Sequence, residues 1–168
     1  MVNLVIMRHG EAEALHSIDQ LRKSDQQRTL TARGVSEVTQ VSGWLQKHYP
    51  AFDRVLCSPY QRTQQTASFM LHKQPAGTPL ELLPELVPDG DALQVQCYLE
   101  ALWLAEPGSR FLVVSHMPLV SFLVETFTLQ RSAPVFSTAS MAFIDYQPGV
   151  GGRLLEKVSP QELKLMSV

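Results

Sequence analysis

The chain has 168 residues and a formal net charge of −2 at pH 7, with 45% hydrophobic and 18% charged residues. This length suits one domain with a sizeable core, and the balanced charge argues against nucleic acid as the main partner. No apolar stretch is long enough to span a membrane, and the first apolar run is typical of a strand rather than a signal peptide. We therefore expect a single domain over residues 1–168 that works in the cytoplasm as a monomer.

The predicted elements alternate between strands and helices along the chain. A buried strand is predicted over 2–7, and further strands are predicted over 54–57, 80–83 and 111–115. One helix is predicted from Thr31, its N-cap, to about 48, and another from Ser58 and Pro59, its cap and first turn, to about 73. Two more helices are predicted over 91–105 and from Pro118 to about 127. Two late strands, 138–146 and 153–158, flank a Pro- and Gly-rich turn, and a helical turn is predicted over 160–165.

This alternation predicts an α/β fold with three layers, in which helices cover both faces of a mostly parallel sheet. The two late strands predict a β-hairpin at the end of the domain. Cys57 and Cys97 are the only cysteines, and each lies in an apolar neighbourhood. We interpret both as buried thiols in a reducing compartment.

The first strand stops on Arg8, His9, Gly10 and Glu11. A histidine at a strand end is held rigidly, an arginine beside it binds anions in a bidentate manner, and a glycine lets backbone and ligand approach closely. Taken alone, the motif also fits a strand end with a solvated arginine and a histidine that has only a structural role.

Two further strands end on residues with related chemistry. One ends at Ser58, shortly before Arg62, and another ends at His116. In parallel sheets ligands bind beyond the carboxyl ends of the strands, so these residues are expected to meet Arg8 and His9 at one edge. Arg62 lies in the first turn of its helix, where free N–H groups also favour an anion.

This set predicts a site for a phosphate dianion. His9 and His116 supply imidazoles, Arg8 and Arg62 supply guanidinium groups, and Arg28 adds a third positive charge from a loop. Paired histidines also bind metals, but two neighbouring arginines would repel a divalent cation, so we expect no metal and no cofactor.

Other polar residues near the motifs have open or simple interpretations. Glu11 either balances arginine charge or orients an imidazole. His16, His48 and His72 are interpreted as solvated side chains.

Four ordered motifs resemble those of the histidine phosphatase superfamily, which has the phosphoglycerate mutase-like fold. They are Arg8-His9-Gly10-Glu11, Leu30-Thr31-Ala32-Arg33-Gly34, Ser58-Pro59-Tyr60-Gln61-Arg62-Thr63-Gln64-Gln65-Thr66 and Ser115-His116. Within the superfamily the chain most resembles the small SixA-type phosphohistidine phosphatases. That likeness rests on Arg28-Thr29-Leu30-Thr31, Leu83-Pro84-Glu85-Leu86 with Gly90-Asp91, and Val114-Ser115-His116-Met117-Pro118-Leu119-Val120.

The resemblance implies a covalent mechanism in which His9 attacks phosphorus and water hydrolyses the phosphohistidine that forms. Arg8, Arg62 and His116 would hold the phosphoryl oxygens, and Arg28 and Gly10 are expected to bind the phosphate as well. By its position Glu85 is the candidate general acid, and the alternative is a plain loop carboxylate. If the leaving group is an imidazole, a weaker acid or solvent suffices.

The connection between Arg62 and His116 is short and leaves few residues to cover the pocket. An open pocket suits phosphohistidine on another protein, such as a histidine phosphotransfer domain or a phosphocarrier of a signalling or sugar-transport relay. The alternatives are a small-molecule phosphomonoesterase of the same superfamily and a phosphoprotein-binding module without turnover. Neither nucleic acid nor a membrane is an expected partner.

Overall fold

A six-stranded sheet organises the computed structural model, which describes residues 1–15, 24–130 and 132–166. The strands are β1 (Leu4–Arg8), β2 (Arg54–Cys57), β3 (Leu80–Leu82), β4 (Phe111–Ser115), β5 (Met141–Gln147) and β6 (Gly151–Val158). The α-helices are α1 (Ala32–His48), α2 (Gln61–Leu71), α3 (Ala92–Ala105), α4 (Leu119–Phe127) and α5 (Pro160–Met166). Short 3₁₀ turns cover Asp25–Gln27 and Pro84–Leu86.

The strand order is β3-β2-β4-β1-β5-β6. Strands β1 to β4 pair in parallel, whereas β5 runs antiparallel to β1 and forms a hairpin with β6. Helices α1, α2 and α5 pack on one face, and α3 and α4 pack on the other. The predicted three-layer α/β fold and its final hairpin are confirmed. Within the described ranges no helix is both long and apolar enough to cross a membrane.

Strand β1 lies inside the sheet and is buried on both sides. Val5 and Met7 face the layer of α1 and α2, and Leu4 and Ile6 face the layer of α3 and α4. A strand covered on both faces needs a continuous apolar run rather than an alternating one. The run Leu4 to Met7 meets that need, and it fixes the position of the polar residues that follow.

Helix α1 begins as the sequence predicts, because the Thr31 side chain accepts a hydrogen bond from the Gly34 amide at 3.0 Å. The prediction for α2 is wrong by two residues, since its N-cap is Tyr60 and not Ser58. The Ser58 amide still donates to the Val114 carbonyl at 3.2 Å. The backbone is therefore hydrogen-bonded to the sheet at Ser58, and helix α2 begins only after the chain has left the sheet.

The prediction for Cys97 is also wrong, because this thiol is exposed, whereas the predicted burial of Cys57 is confirmed. Helix α3 is apolar on two sides. One side packs on the core, and the other leaves Leu93 and Leu104 exposed. The composition of such a helix does not indicate which side faces inward.

A turn before β5 explains why that strand begins at Met141 rather than at 138. The Ser140 amide and hydroxyl both bond to the Ser137 carbonyl, at 3.2 and 2.6 Å. The Ala139 amide in this turn donates to the His9 carbonyl at 2.9 Å. The hairpin is therefore attached directly to the residue that follows β1.

Two glycines let the chain after β1 lie against α1. A Cβ on Gly10 would come within 2.8 Å of the Val38 side chain and 2.9 Å of the Gly34 carbonyl. A Cβ on Gly34 would come within 2.1 Å of the Glu11 carbonyl. The close approach that the sequence predicts at Gly10 therefore exists, but its partner is helix α1.

We expect Gly34→Ala to destabilise the fold by about 1–3 kcal/mol, the usual cost of forcing an atom into a packed site. Gly43→Ala is the matched control, because it lies in the same helix and, beyond the neighbouring helix backbone, no atom of the described residues lies within 4 Å of its added Cβ. That control should gain up to about 1 kcal/mol from helix propensity. Urea unfolding of both variants measures the difference, and equal midpoints would contradict the packing argument.

Candidate active site

The carboxyl ends of β1, β2 and β4 bring three distant residues together. The ring centroids of His9 and His116 lie 5.2 Å apart, and the planes meet at 63°. The Nε atom of Arg62 lies 3.3 Å from Nε2 of His9. All three side chains are buried, with 6% of His9, 4% of Arg62 and 1% of His116 exposed. This is the meeting point that the strand ends predicted.

The hydrogen bonds of His9 define which ring nitrogen is free to react. Nδ1 lies 2.7 Å from the Gly10 carbonyl, which only accepts hydrogen bonds, so Nδ1 carries the proton. Nε2 then holds a lone pair, and this lone pair receives the N–H of Arg62. Nε2 is therefore the nitrogen of His9 that keeps a lone pair.

Both imidazoles are neutral at neutral pH. Burial, aided by the charges of Arg62, Arg8 and Arg28 and opposed by a backbone hydrogen bond, lowers the pKa of His9 to about 3. Burial also lowers the pKa of His116 to about 2, helped by His9 and the same arginines. A neutral imidazole keeps the lone pair that nucleophilic attack on phosphorus requires.

The 3₁₀ turn of residues Asp25–Gln27 contacts the outer nitrogens of the Arg62 guanidinium group. Its Nη1 donates to the Asp25 carbonyl at 2.8 Å, and its Nη2 lies 3.4 Å from Asp25 Oδ2. Partial burial by itself would raise the pKa of Asp25, but Arg28 and Arg62 hold that pKa below its ordinary value. Asp25 is therefore an ionised carboxylate at the site, and sequence reasoning missed it.

Arg28 is linked to the site indirectly, because it pairs with Asp25, which bonds to Arg62. Its Nη1 donates to Asp25 Oδ1 at 2.8 Å, and its Nε donates to the Glu13 carbonyl at 2.7 Å. The sequence predicted a third direct phosphate ligand, whereas the structure places Arg28 behind Asp25. Its charge still acts on both histidines. The spacing of Asp25 and Arg28, three residues apart, was the only sequence signal for this pair.

Arg8 follows the last buried residue of β1 and is half-buried. Its Nη1 donates to the Phe136 carbonyl at 2.8 Å. Its Nε is buried without a hydrogen-bond partner in the part of the chain that the structure describes. Burial and the charge of Arg62 lower its pKa, and the charge of Glu37 opposes them. Arginine nevertheless stays charged in proteins.

The buried carboxylate of Glu37, on α1, is a second acidic group that sequence reasoning missed. It accepts from the Glu11 amide at 3.2 Å and from the Thr138 hydroxyl at 3.0 Å. Glu11 itself pairs with Arg33 at 3.3 Å. Of the two interpretations of Glu11, charge balance is therefore the one observed, although its partner is Arg33.

Gly10 is not placed as a phosphate ligand. Its amide donates to the Thr66 hydroxyl at 3.1 Å, and its Cα faces α1. Thr66 in turn donates to the Arg62 carbonyl at 2.7 Å. The glycine therefore joins β1 to α1 and α2, and its amide is already engaged.

Glu85 lies in the 3₁₀ turn of residues Pro84–Leu86, at the same edge of the sheet. The Ser115 hydroxyl donates to the Leu86 carbonyl at 2.6 Å, which fixes the turn one residue before His116. Glu85 is half-buried, and its Oε2 atom is buried with no hydrogen-bond partner among the residues described. A Cβ on Gly90 would lie 1.9 Å from the Glu85 carbonyl, so a glycine is required there.

The remaining histidines lie outside this site. His48 and His72 are exposed, in agreement with their interpretation as solvated side chains, and His16 lies outside the described residues. In the described ranges no three His, Cys, Asp or Glu side chains are grouped so as to hold a metal ion.

We expect neither His9 nor His116 to gain a proton between pH 5 and pH 8, since their pKa values of about 3 and about 2 keep both rings neutral above pH 4. Ring ¹H and ¹⁵N shifts followed by NMR over that range measure this, with His9→Asn and His116→Asn spectra to assign the signals. A ring that titrates near the ordinary histidine pKa of about 6.5 would contradict it.

Comparison with known proteins places this site in a family. The model of the histidine phosphatase superfamily (branch 1) matches residues 4–87. The chain is 35% identical over 164 residues to the phosphohistidine phosphatase SixA of Escherichia coli (strain K12), covering 98% of each chain. It is 32% identical to a SixA homolog of Haemophilus influenzae, covering 95% of this chain and 97% of that one. A solved structure of the protein histidine phosphatase SixA complexed with tungstate matches with a TM-score of 0.86 and 35% identity, covering 95% and 98%. The chain therefore belongs to the histidine phosphatase superfamily, as its four motifs indicated.

Proposed function

We propose that this protein is a phosphohistidine phosphatase that removes the phosphoryl group from a histidine of a partner protein. The observation that carries the proposal is the neutral His9, whose unprotonated Nε2 lies beside Arg62 and His116. The similarity to SixA proteins along nearly the whole chain supports the choice of substrate.

The reaction has two steps. In the first, Nε2 of His9 attacks phosphorus in line, and the bond between phosphorus and the substrate imidazole breaks. The electron pair of that bond stays on the leaving nitrogen, which takes up a proton from solvent. In the second, water attacks the phosphohistidine on His9, phosphate leaves, the neutral ring is restored, and the proton that the water loses returns to solvent.

The positive groups of the pocket stabilise the charge on the transferred phosphoryl group. Arg8 and Arg62 bind its oxygens, and His116 donates a hydrogen bond to another. Asp25 now occupies the outer nitrogens of Arg62, so a phosphate dianion has to take its place there. Arg28, paired with Asp25, adds long-range attraction rather than a direct contact. These arginines supply the charge that a metal supplies elsewhere, so the reaction needs no cofactor.

The partner is a phosphohistidine-bearing protein of a signalling relay, such as a histidine phosphotransfer domain or a phosphocarrier. A small domain with a short connection from α2 to β4 supports this choice, because little of that connection is free to enclose a small substrate. We place the reaction in the cytoplasm and assign it to the monomer.

Glu85 supports a second candidate, a phosphomonoesterase that acts on small molecules. An ester oxygen needs a general acid when it leaves, and Glu85 has a buried carboxylate oxygen at the correct edge of the sheet. A binding module without turnover is the weaker alternative, since recognition alone would not require a neutral nucleophile at His9.

His9→Ala should abolish release of phosphate from a phosphohistidine protein, and Arg62→Ala should slow it by roughly 10²- to 10³-fold, the scale of one lost charge-stabilising donor. His72→Ala, which changes an exposed histidine, is the control and should match the wild type. Single-turnover assays with a phosphorylated histidine phosphotransfer domain and with sugar phosphates measure both activities. Fast hydrolysis of sugar phosphates without any action on the phosphoprotein would overturn the proposal in favour of the phosphomonoesterase.

Glu85→Gln should separate the two leaving groups. With a phosphohistidine substrate we expect kcat to fall less than roughly threefold, while alkyl phosphate hydrolysis falls by about 10²-fold or more, the contribution of a general acid. Asp89→Asn, an exposed change in the same loop, is the control. Equal losses on both substrates would show that Glu85 acts in some way other than as the acid for ester leaving groups.

A further inference from the structure

The hydroxyl of Ser58 lies against the second imidazole of the site. Its Oγ is 2.8 Å from Nε2 of His116, and the Tyr60 amide donates to the same Oγ at 3.3 Å. Ser58 is fully buried. Nδ1 of His116 is buried as well and has no hydrogen-bond partner among the described residues. Nε2 of the His116 ring therefore already has a hydrogen-bond partner, whereas Nδ1 has none among the described residues.

Because burial and the nearby charges hold the pKa of His116 at about 2, the ring carries a single N–H. Whether that proton is on Nδ1 or Nε2 decides whether the ring is able to donate a hydrogen bond toward a ligand. The partners of Ser58 distinguish the two tautomers.

If Nε2 carried the proton, it would donate to Ser58 Oγ. The buried Ser58 hydroxyl proton would then have no acceptor in the described part of the chain, and the lone pair on Nδ1 would also have no donor. If Nδ1 carries the proton, the Ser58 hydroxyl donates to Nε2, and only the Nδ1–H still needs a partner. The second arrangement leaves one buried polar group without a hydrogen-bond partner instead of two, and it is favoured because each such group costs free energy.

The Ser58 backbone and its surroundings hold the hydroxyl in place. The Ser58 amide donates to the Val114 carbonyl at 3.2 Å, and the Ser58 carbonyl accepts from the Thr63 hydroxyl at 2.8 Å. The Tyr60 ring meets the His116 ring edge-on, with centroids 5.0 Å apart. The imidazole is therefore packed between Tyr60 and His9 with its Nε2 atom directed at a fixed oxygen.

We propose that Ser58 is a positioning residue that donates its hydroxyl proton to Nε2 of His116 and so fixes the proton of that ring on Nδ1. The Nδ1–H then donates to an oxygen of the transferred phosphoryl group. The second part rests on the proposed function, whereas the tautomer itself does not.

The tautomer is measured directly on the wild-type protein labelled with ¹⁵N. In long-range ¹H–¹⁵N spectra at pH 7 we expect Nδ1 of His116 to have the shift of a protonated nitrogen and Nε2 that of an unprotonated one. The opposite assignment overturns the proposal, whether or not the protein turns over any phosphohistidine. Addition of inorganic phosphate should move the Nδ1–H signal downfield, and an unchanged signal at saturation overturns the second part.

Two variants test the role of the hydroxyl. Ser58→Ala should let the His116 proton redistribute to Nε2 and lower kcat on the phosphoprotein on the order of 10²-fold, the scale of losing one aligned donor. Ser58→Thr keeps a hydroxyl and should restore the Nδ1–H tautomer. Ser42→Ala is the control, because it removes another buried serine hydroxyl, one that donates to the Thr39 carbonyl at 3.0 Å in α1. If Ser58→Ala folds and keeps both the wild-type tautomer and kcat, Ser58 has no positioning role.

Discussion

The parallel register of β1, β4 and β2 is the constraint on which the site depends. The His9 amide donates to the Ser115 carbonyl at 3.0 Å, and the Ser58 amide donates to the Val114 carbonyl at 3.2 Å. Neighbouring strands lie about 4.8 Å apart, so residues that leave the sheet at matching points are neighbours. The 5.2 Å between the rings of His9 and His116 is close to that strand spacing. The catalytic geometry is thus set by backbone hydrogen bonds within the core.

This edge of the sheet concentrates positive charge in a place with little water. Two imidazoles tolerate such surroundings because they are buried in the neutral form, which avoids the cost of placing more cations beside Arg8 and Arg62. The arginines are balanced by carboxylates on other elements. Glu37 acts on Arg8, and Asp25 bonds to Arg62. In the proposed reaction a phosphate dianion replaces the negative charge that Asp25 brings to Arg62.

The sequence predicted those parts of the site that depend on local pattern. A continuous apolar run followed by Arg8 and His9 identified the central strand, and the ends of β2 and β4 indicated where Arg62 and His116 would lie. The predicted N-cap at Thr31 depends on residues three apart and is confirmed.

The parts that were missed depend on partners far away in the sequence. Ser58 was interpreted as a helix cap because Ser-Pro is a local start signal, whereas its hydroxyl bonds to a residue 58 positions later. No local pattern singles out Glu37 within its helix, because the Thr138 hydroxyl that donates to its carboxylate lies 101 positions later. Gly10 was correctly expected to allow a close approach, but only the packing of α1 on the end of β1 shows what approaches it.

The two imidazoles have the same side chain, and their different partners give them opposite roles. A backbone carbonyl accepts from Nδ1 of His9, so the lone pair of that ring is on Nε2, beside Arg62. A serine hydroxyl faces Nε2 of His116, so the N–H of that ring is on Nδ1. Since both rings are neutral, each has one donor and one acceptor, and fixing either nitrogen fixes the other. In the proposed reaction one ring therefore offers electrons to phosphorus while the other offers a hydrogen bond to its oxygens. If the carbonyl and hydroxyl partners were exchanged, both histidines would remain in place. Neither His9 nor His116 would then have the proton on the nitrogen that its proposed role requires.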